Sequence, residues 1–206
     1  MKLKKGLLIV LEGIDGSGKT TQARLLARTL RRAGVEERSF REPTRGRWGR
    51  KIRKNARRPD SLTPEEELAL FLKDRAEDVA RNILPSLRRK IAVILDRYYF
   101  STIAYQGAKG ISRERIRRLN ETFAPRADLI FILDVDPARG LGRIKGRPRK
   151  EPLFEREHYL ARVRRIFRSF RGRRFIHLDG SKDKKELAEV IRRRVMRTVD
   201  RYRKTA

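Results

Sequence analysis

Short apolar runs alternate along this chain with longer stretches of helical periodicity, the pattern of a parallel sheet covered by helices. The candidate strands are Leu7–Glu12, Val35–Phe40, Ala92–Asp96, Leu129–Val135 and Arg174–Leu178. The first, third and fourth are continuous apolar runs, as expected for strands covered on both faces. The candidate helices are Lys19–Ala33, Trp48–Arg57, Glu65–Arg89, Arg113–Phe123, Pro137–Ile144, Phe154–Arg171 and Lys184–Tyr202. Thr63-Pro64-Glu65-Glu66 opens the third of these well: Thr63 can cap, Pro64 fits the first turn, and the acidic residues complement the helix dipole. Pro85 should kink or end the same helix early. Arg57–Asp60 and Lys145–Pro152 carry no apolar period and read as loops. There is no internal repeat, and 206 residues suit a single domain over 1–206.

Composition adds one unusual feature. Lys and Arg total 55 against 26 Asp and Glu, a formal net charge of +29. Nucleic-acid binding is one reading of that excess. A solvated, arginine-rich surface is another, and anionic ligands a third. The basic residues are spread along the whole chain, which favours the solvated surface and leaves nucleic-acid binding as a non-specific charge effect. The absence of cysteine excludes disulfides, thiolate metal sites and cysteine nucleophiles. No apolar run is long enough to span a membrane, and Leu7–Leu11 is too short for a signal peptide. A cytoplasmic location fits.

The most informative segment is Gly13-Ile14-Asp15-Gly16-Ser17-Gly18-Lys19-Thr20, a full match to the P-loop pattern of GxxxxGK followed by Ser or Thr. A strand precedes it and a helix follows, as the motif requires. Its glycines let backbone N–H groups turn toward phosphate oxygens, and the helix adds its positive end. Lys19 would reach the β- and γ-phosphates of ATP, and the Thr20 hydroxyl would ligate Mg2+. The third strand ends in Asp96-Arg97-Tyr98, where strand ends face the ligand crevice. Asp96 there can hold Mg2+ through water, and Arg97 can bridge donor and acceptor phosphates.

From Asp96 to Gly107 the chain resembles the thymidylate kinase signature DRYxxSxxAYQG. Arg41-Glu42-Pro43, with Gly46, Gly49, Ile52 and Arg53, resembles the REPxxxxxGxxIR segment of that family. Phe71–Arg75 resembles its F-xxx-R helix, Asp15 its acidic P-loop position, and Gly140–Arg143 the start of its lid. The resemblance implies an α/β, three-layer P-loop kinase fold: a five-stranded parallel sheet flanked by helices, with a basic lid at approximately 143–155. It implies ATP- and Mg2+-dependent phosphorylation of dTMP to dTDP, and a homodimer. The alternatives are a pyrimidine deoxynucleoside monophosphate kinase of relaxed specificity and a nucleic-acid-binding P-loop ATPase.

By the same resemblance, Phe71 would stack on thymine and Arg75 would donate to a thymine carbonyl. Residues four apart share a helix face, so a ring and a guanidinium can grip one flat base. Ser101, Thr102 and Gln106 would line the base edge, and Tyr105 would crowd the sugar. Asp15 would accept from the 3′-hydroxyl. Glu42 would sit near the acceptor phosphate and the metal, and Arg53 and Arg97 would bind that phosphate. In that family either the P-loop or the lid supplies a further basic residue; the P-loop here has no side-chain cation beyond Lys19, so the resemblance implies that the lid provides it. Arg143 is placed on adenine, with Arg147 and Arg149 as alternative catalytic arginines. An apolar face of the third helix (Leu68, Leu72, Val79, Ile83) is compatible with self-association. His158 and His177 are read as structural.

Overall fold

The computed structural model describes residues 3–56, 62–144 and 153–203. Five strands form one parallel sheet: β1 (Leu7–Glu12), β2 (Glu37–Arg41), β3 (Ala92–Asp96), β4 (Leu129–Asp134) and β5 (Phe175–Asp179), in the order β2-β3-β1-β4-β5. The expected fold is therefore present. β1 is central, and the chain crosses from β3 on one side of it to β4 on the other. That is the topological switch point at which open α/β sheets bind ligands. The register brings the carboxyl ends together: Leu11 and Arg41 both lie beside Asp96, and Glu12 lies beside Ile132.

Every residue of β1 and β3 is buried, because helices cover both faces. Leu8, Val10, Val93, Leu95, Ile130 and Ile132 face one core. It is completed by α3 (Pro64–Asp78), α5 (Tyr99–Ala108), α6 (Arg113–Glu121) and α8 (Leu153–Ser169). Leu7, Ile9, Leu11, Ile94, Phe131 and Leu133 face the other, where α1 (Lys19–Arg32) packs beside α9 (Lys184–Tyr202). The remaining helices are α2 (Arg47–Asn55), α4 (Leu84–Arg88) and α7 (Pro137–Gly142). No helix among the described residues is long and apolar enough to cross a membrane.

α3 begins as its sequence dictates. Thr63 accepts from the Glu66 backbone N–H, and Glu66 accepts in return from the Thr63 N–H, a reciprocal capping box with Pro64 in the first turn. Its far end behaves differently from the single helix expected to run to Arg89. A π turn, Val79–Ile83, follows α3 and leads into α4, with Pro85 in the first turn of α4. Proline lacks an N–H and crowds the carbonyl one turn back, and the wider ladder before it accommodates both defects without ending the rod.

Two sequence readings need correction. First, Tyr99–Ala108 is a helix that the periodicity did not indicate. Seven of its ten residues are buried, so it has no polar stripe to betray it. Second, the apolar face offered for self-association is spent within the chain: Leu68, Val79 and Ile83 are buried in the core, and Leu72 packs against it.

Candidate active site

The glycines of the P-loop hold conformations that other residues resist. Gly13, Gly16 and Gly18 all have positive φ, at 137°, 78° and 97°. The Lys19 ammonium is folded into the loop and donates to the carbonyls of Gly13 (2.9 Å) and Ile14 (2.7 Å) and to Ser17 Oγ (3.3 Å). Burial, reinforced by nearby Arg97, lowers its pKa to about 7. Thr20, at the start of α1, donates to Asp96 Oδ2 at 2.5 Å. The other carboxylate oxygen of Asp96 is buried and has no hydrogen-bond partner among the described residues.

Arg97 sits where β3 ends, in a left-handed backbone conformation with φ of 77°. That turn aims its side chain back over the P-loop. The guanidinium donates to Asp15 Oδ1 (2.7 Å), Ser101 Oγ (3.0 Å) and the Gly13 carbonyl (3.3 Å), and lies 5.2 Å from the centre of the Tyr105 ring. Burial opposes the charge, but Tyr105, Asp15, Glu12 and Asp96 together hold its pKa above the ordinary guanidinium value. Burial likewise pushes the Tyr105 phenol up to about 12.

A second cluster lies beside this one. Arg75, on α3, is almost fully buried and donates to Glu42 through Nε (2.8 Å) and Nη2 (2.5 Å). It also donates to Thr102 on α5 (3.0 Å) and Asn120 on α6 (2.6 Å). Burial raises the Glu42 pKa to about 7 despite Arg75. Glu42 has one oxygen on Arg75 and the other without a hydrogen-bond partner among the described residues. Phe71, one turn before Arg75, is half-buried on the same helix. Gln106 donates to Glu67 at 2.8 Å. Arg53 is exposed and reaches the Pro43 carbonyl at 3.0 Å. Asp74 pins the link between β2 and α2 by accepting from the Thr44 N–H (2.7 Å) and hydroxyl (2.6 Å).

On the opposite side of the P-loop, α7 lies against its backbone. Arg143, at the end of α7, donates to the carbonyls of Gly16 (3.2 Å) and Gly180 (3.1 Å). Arg147 and Arg149, with the expected lid from 145 to 152 and the loop at 57–60, lie outside the described residues. His177, on the edge strand β5, lies with its Nε2 2.9 Å from the Phe170 carbonyl.

Arg97 thus joins the P-loop to Ser101 on α5, and Arg75 holds the next residue of that helix, Thr102. The family model for thymidylate kinase matches residues 11–191, most of the chain. The chain belongs to the thymidylate kinase family. It is 44% identical over 187 residues to the probable thymidylate kinase of Archaeoglobus fulgidus, covering 91% of this chain and 93% of that one. It is 45% identical over 190 residues to the thymidylate kinase of Akkermansia muciniphila, covering 92% and 91%. It is 43% identical over 187 residues to that of Brachyspira hyodysenteriae, covering 91% and 92%.

Within this thymidylate kinase family member, Thr20 and Asp96 suit Mg2+: they offer only oxygen donors and one carboxylate, with an unsatisfied oxygen to spare. Two oxygen donors would leave the other coordination positions of such a cation to water and nucleotide phosphates. Two organising residues escaped the sequence reading. Glu12, fully buried at the end of β1, accepts from the backbone N–H groups of Tyr98 (2.8 Å) and Ser101 (3.1 Å) and from the Ser101 hydroxyl (2.5 Å). It thereby caps α5, whose own N-cap residue makes no side-chain cap bond. Asn120 is the second. The available signal was an amide four residues after the apolar Ile116, on the same face of an otherwise charged helix.

Proposed function

We propose that this chain transfers the γ-phosphoryl group of ATP to dTMP, yielding dTDP and ADP. The observation that carries this reading is the position of Arg97, which touches the P-loop at Gly13 and Asp15 and α5 at Ser101. A guanidinium there reaches both a donor phosphate held by the loop and an acceptor phosphate held beside α5.

The P-loop N–H groups and Lys19 would cradle the ATP phosphates. Thr20 and Asp96, with Glu42 beside them, would hold Mg2+, which would supply positive charge against the nucleotide phosphates. Phosphoryl transfer asks little covalent work of the protein, so positioning and charge neutralisation carry most of the acceleration. Arg97 would steady the migrating group, and Arg53 would help to hold the acceptor phosphate. Asp15 would orient the sugar through its 3′-hydroxyl, with Tyr105 packed beside it. Phe71 and Arg75 would hold the base, with Ser101, Thr102 and Gln106 along its edge. Arg143 would pack on adenine, and Arg147 or Arg149 would close over the phosphates.

The test is an ATP-to-ADP assay with dTMP, dUMP, dCMP and dGMP side by side. dTMP should be the best acceptor and dUMP the next. Failure to convert any of them to its diphosphate would overturn the proposal. Arg97→Ala should lower turnover by about two to four orders of magnitude while thermal melting still shows a folded protein. Near-normal turnover in that variant would remove Arg97 from the reaction.

A further inference from the structure

We propose that Asn120 is a positioning residue that fixes the place and plane of Arg75, so that the acceptor pocket's preference for a base carbonyl over a base amino group depends on it. The proposal rests on the reading that the acceptor base lies against Arg75.

A guanidinium carries five N–H groups in a fixed plane. In Arg75 the Nε donor and one Nη2 donor go to Glu42 Oε2, the second Nη2 donor goes to Thr102 Oγ1, and one Nη1 donor goes to Asn120 Oδ1. Among the described residues, one N–H group on Nη1 remains. The ring of Tyr98 lies 5.6 Å from the guanidinium carbon and backs the plane. Partners from three separate parts of the chain therefore fix both the position and the plane of this group.

Asn120 determines which donor remains. It is fully buried, and its amide nitrogen donates to the Ile116 carbonyl at 2.7 Å. Because the nitrogen faces a carbonyl, the oxygen must face Arg75, which settles the amide orientation chemically. Ile116 and Asn120 are the two buried residues of α6, whose sequence is otherwise dominated by charge. A buried amide in that position requires a partner, and Arg75 is that partner. With Asn120 in place, Arg75 is held in one plane and keeps one unpaired N–H among the described residues. A pyrimidine carbonyl accepts from it, whereas an exocyclic amino group presents a second donor and is rejected. Without Asn120, Nη1 has two unpaired donors in a buried site, and the plane loses one of its three supports.

Two reciprocal substitutions separate this role from a merely structural one. Asn120→Ser is too short to reach Arg75 but can still donate to the carbonyl one turn back. Asn120→Asp keeps the acceptor oxygen toward Arg75 and loses the donor to Ile116. The measurements are kcat and KM for dTMP, dUMP and dCMP, with the KM for ATP as a check on the remote cradle. Asn120→Ser should raise KM for dTMP and dUMP roughly tenfold, the loss expected for one hydrogen bond to a charged group. Its dTMP-to-dCMP ratio of kcat/KM should fall, with the ATP KM unchanged. Asn120→Asp should recover most of the wild-type ratio. The proposal is overturned if the Ser variant keeps the wild-type ratio, or if Ser and Asp are impaired alike with a raised ATP KM. If the wild-type protein does not distinguish dTMP from dCMP, the base-contact reading of Arg75 fails first, and this inference with it.

Discussion

Lys19 shows how much of the site chemistry depends on a single side chain. Its ammonium is folded onto the P-loop carbonyls, and burial lowers its pKa to about 7. A phosphate chain brings compensating negative charge and raises that pKa again. Above about pH 7, and below the ordinary lysine value, the nucleotide-free protein therefore holds Lys19 largely neutral, and the nucleotide-bound protein holds it charged. ATP binding should then take up protons, more at pH 8.5 than at pH 6. Titration calorimetry in buffers of different ionisation enthalpy measures this, and Lys19→Met should abolish the uptake. Because the folded-state pKa is depressed, the unfolded chain binds the extra proton across this window. The contribution of Lys19 to stability accordingly rises as pH climbs through it. The residues of the P-loop were legible in the sequence because their roles are local. Glu12 and Asn120 were not, because each acquires its role from partners far along the chain, at Tyr98 and Ser101 and at Arg75.

At the scale of elements, the contact between α7 and the P-loop is the most exacting. A Cβ on Gly16 would collide with the Gly140 carbonyl, and a Cβ on Gly140 would come within 2.7 Å of the Asp15 carbonyl. Two backbones meet here without a side chain between them, and Arg143 is carried to the Gly16 and Gly180 carbonyls as a result. Gly140→Ala should push α7 off the loop and destabilise the protein by about 1–3 kcal/mol. It should also raise the KM for ATP more than the KM for dTMP. Gly142→Ala is the matched control: nothing lies within 4 Å of its Cβ position, so it should be neutral or slightly stabilising. Denaturant melts and steady-state kinetics on both variants test the contact, and equal behaviour would show that α7 has room to move. The strands, α1, α3 and α9 could be read from periodicity or capping chemistry. α5 could not, because a helix buried on nearly every side has no period, and because the carboxylate that caps it comes from β1.

For the whole molecule, the distribution of charge matters more than its sum. Among the described residues, the buried charged side chains are five acids, Glu12, Glu42, Asp74, Asp78 and Asp96, and three bases, Lys19, Arg75 and Arg97. The accessible surface is thus more positive than the overall +29 implies. Arg24, Arg28 and Arg32 on α1, and Arg194, Arg197 and Arg201 on α9, are exposed and have no carboxylate within ion-pair distance among the described residues. Because α1 and α9 pack side by side, their fields add. Such a surface attracts nucleotides over distances that salt shortens, with a screening length of about 10 Å at 0.1 M ionic strength. Raising the salt should therefore lower kcat/KM for ATP and dTMP more than it lowers kcat, because encounter is affected and the closed site is shielded. Arg194→Glu combined with Arg197→Glu should flatten that salt dependence and leave kcat unchanged, since neither side chain lies near the cradle residues. If the double variant kept the wild-type slope, the basic face would contribute nothing to substrate capture. Attraction would then have to arise from the site itself, where Arg97 and Arg75 are already paired with Asp15 and Glu42.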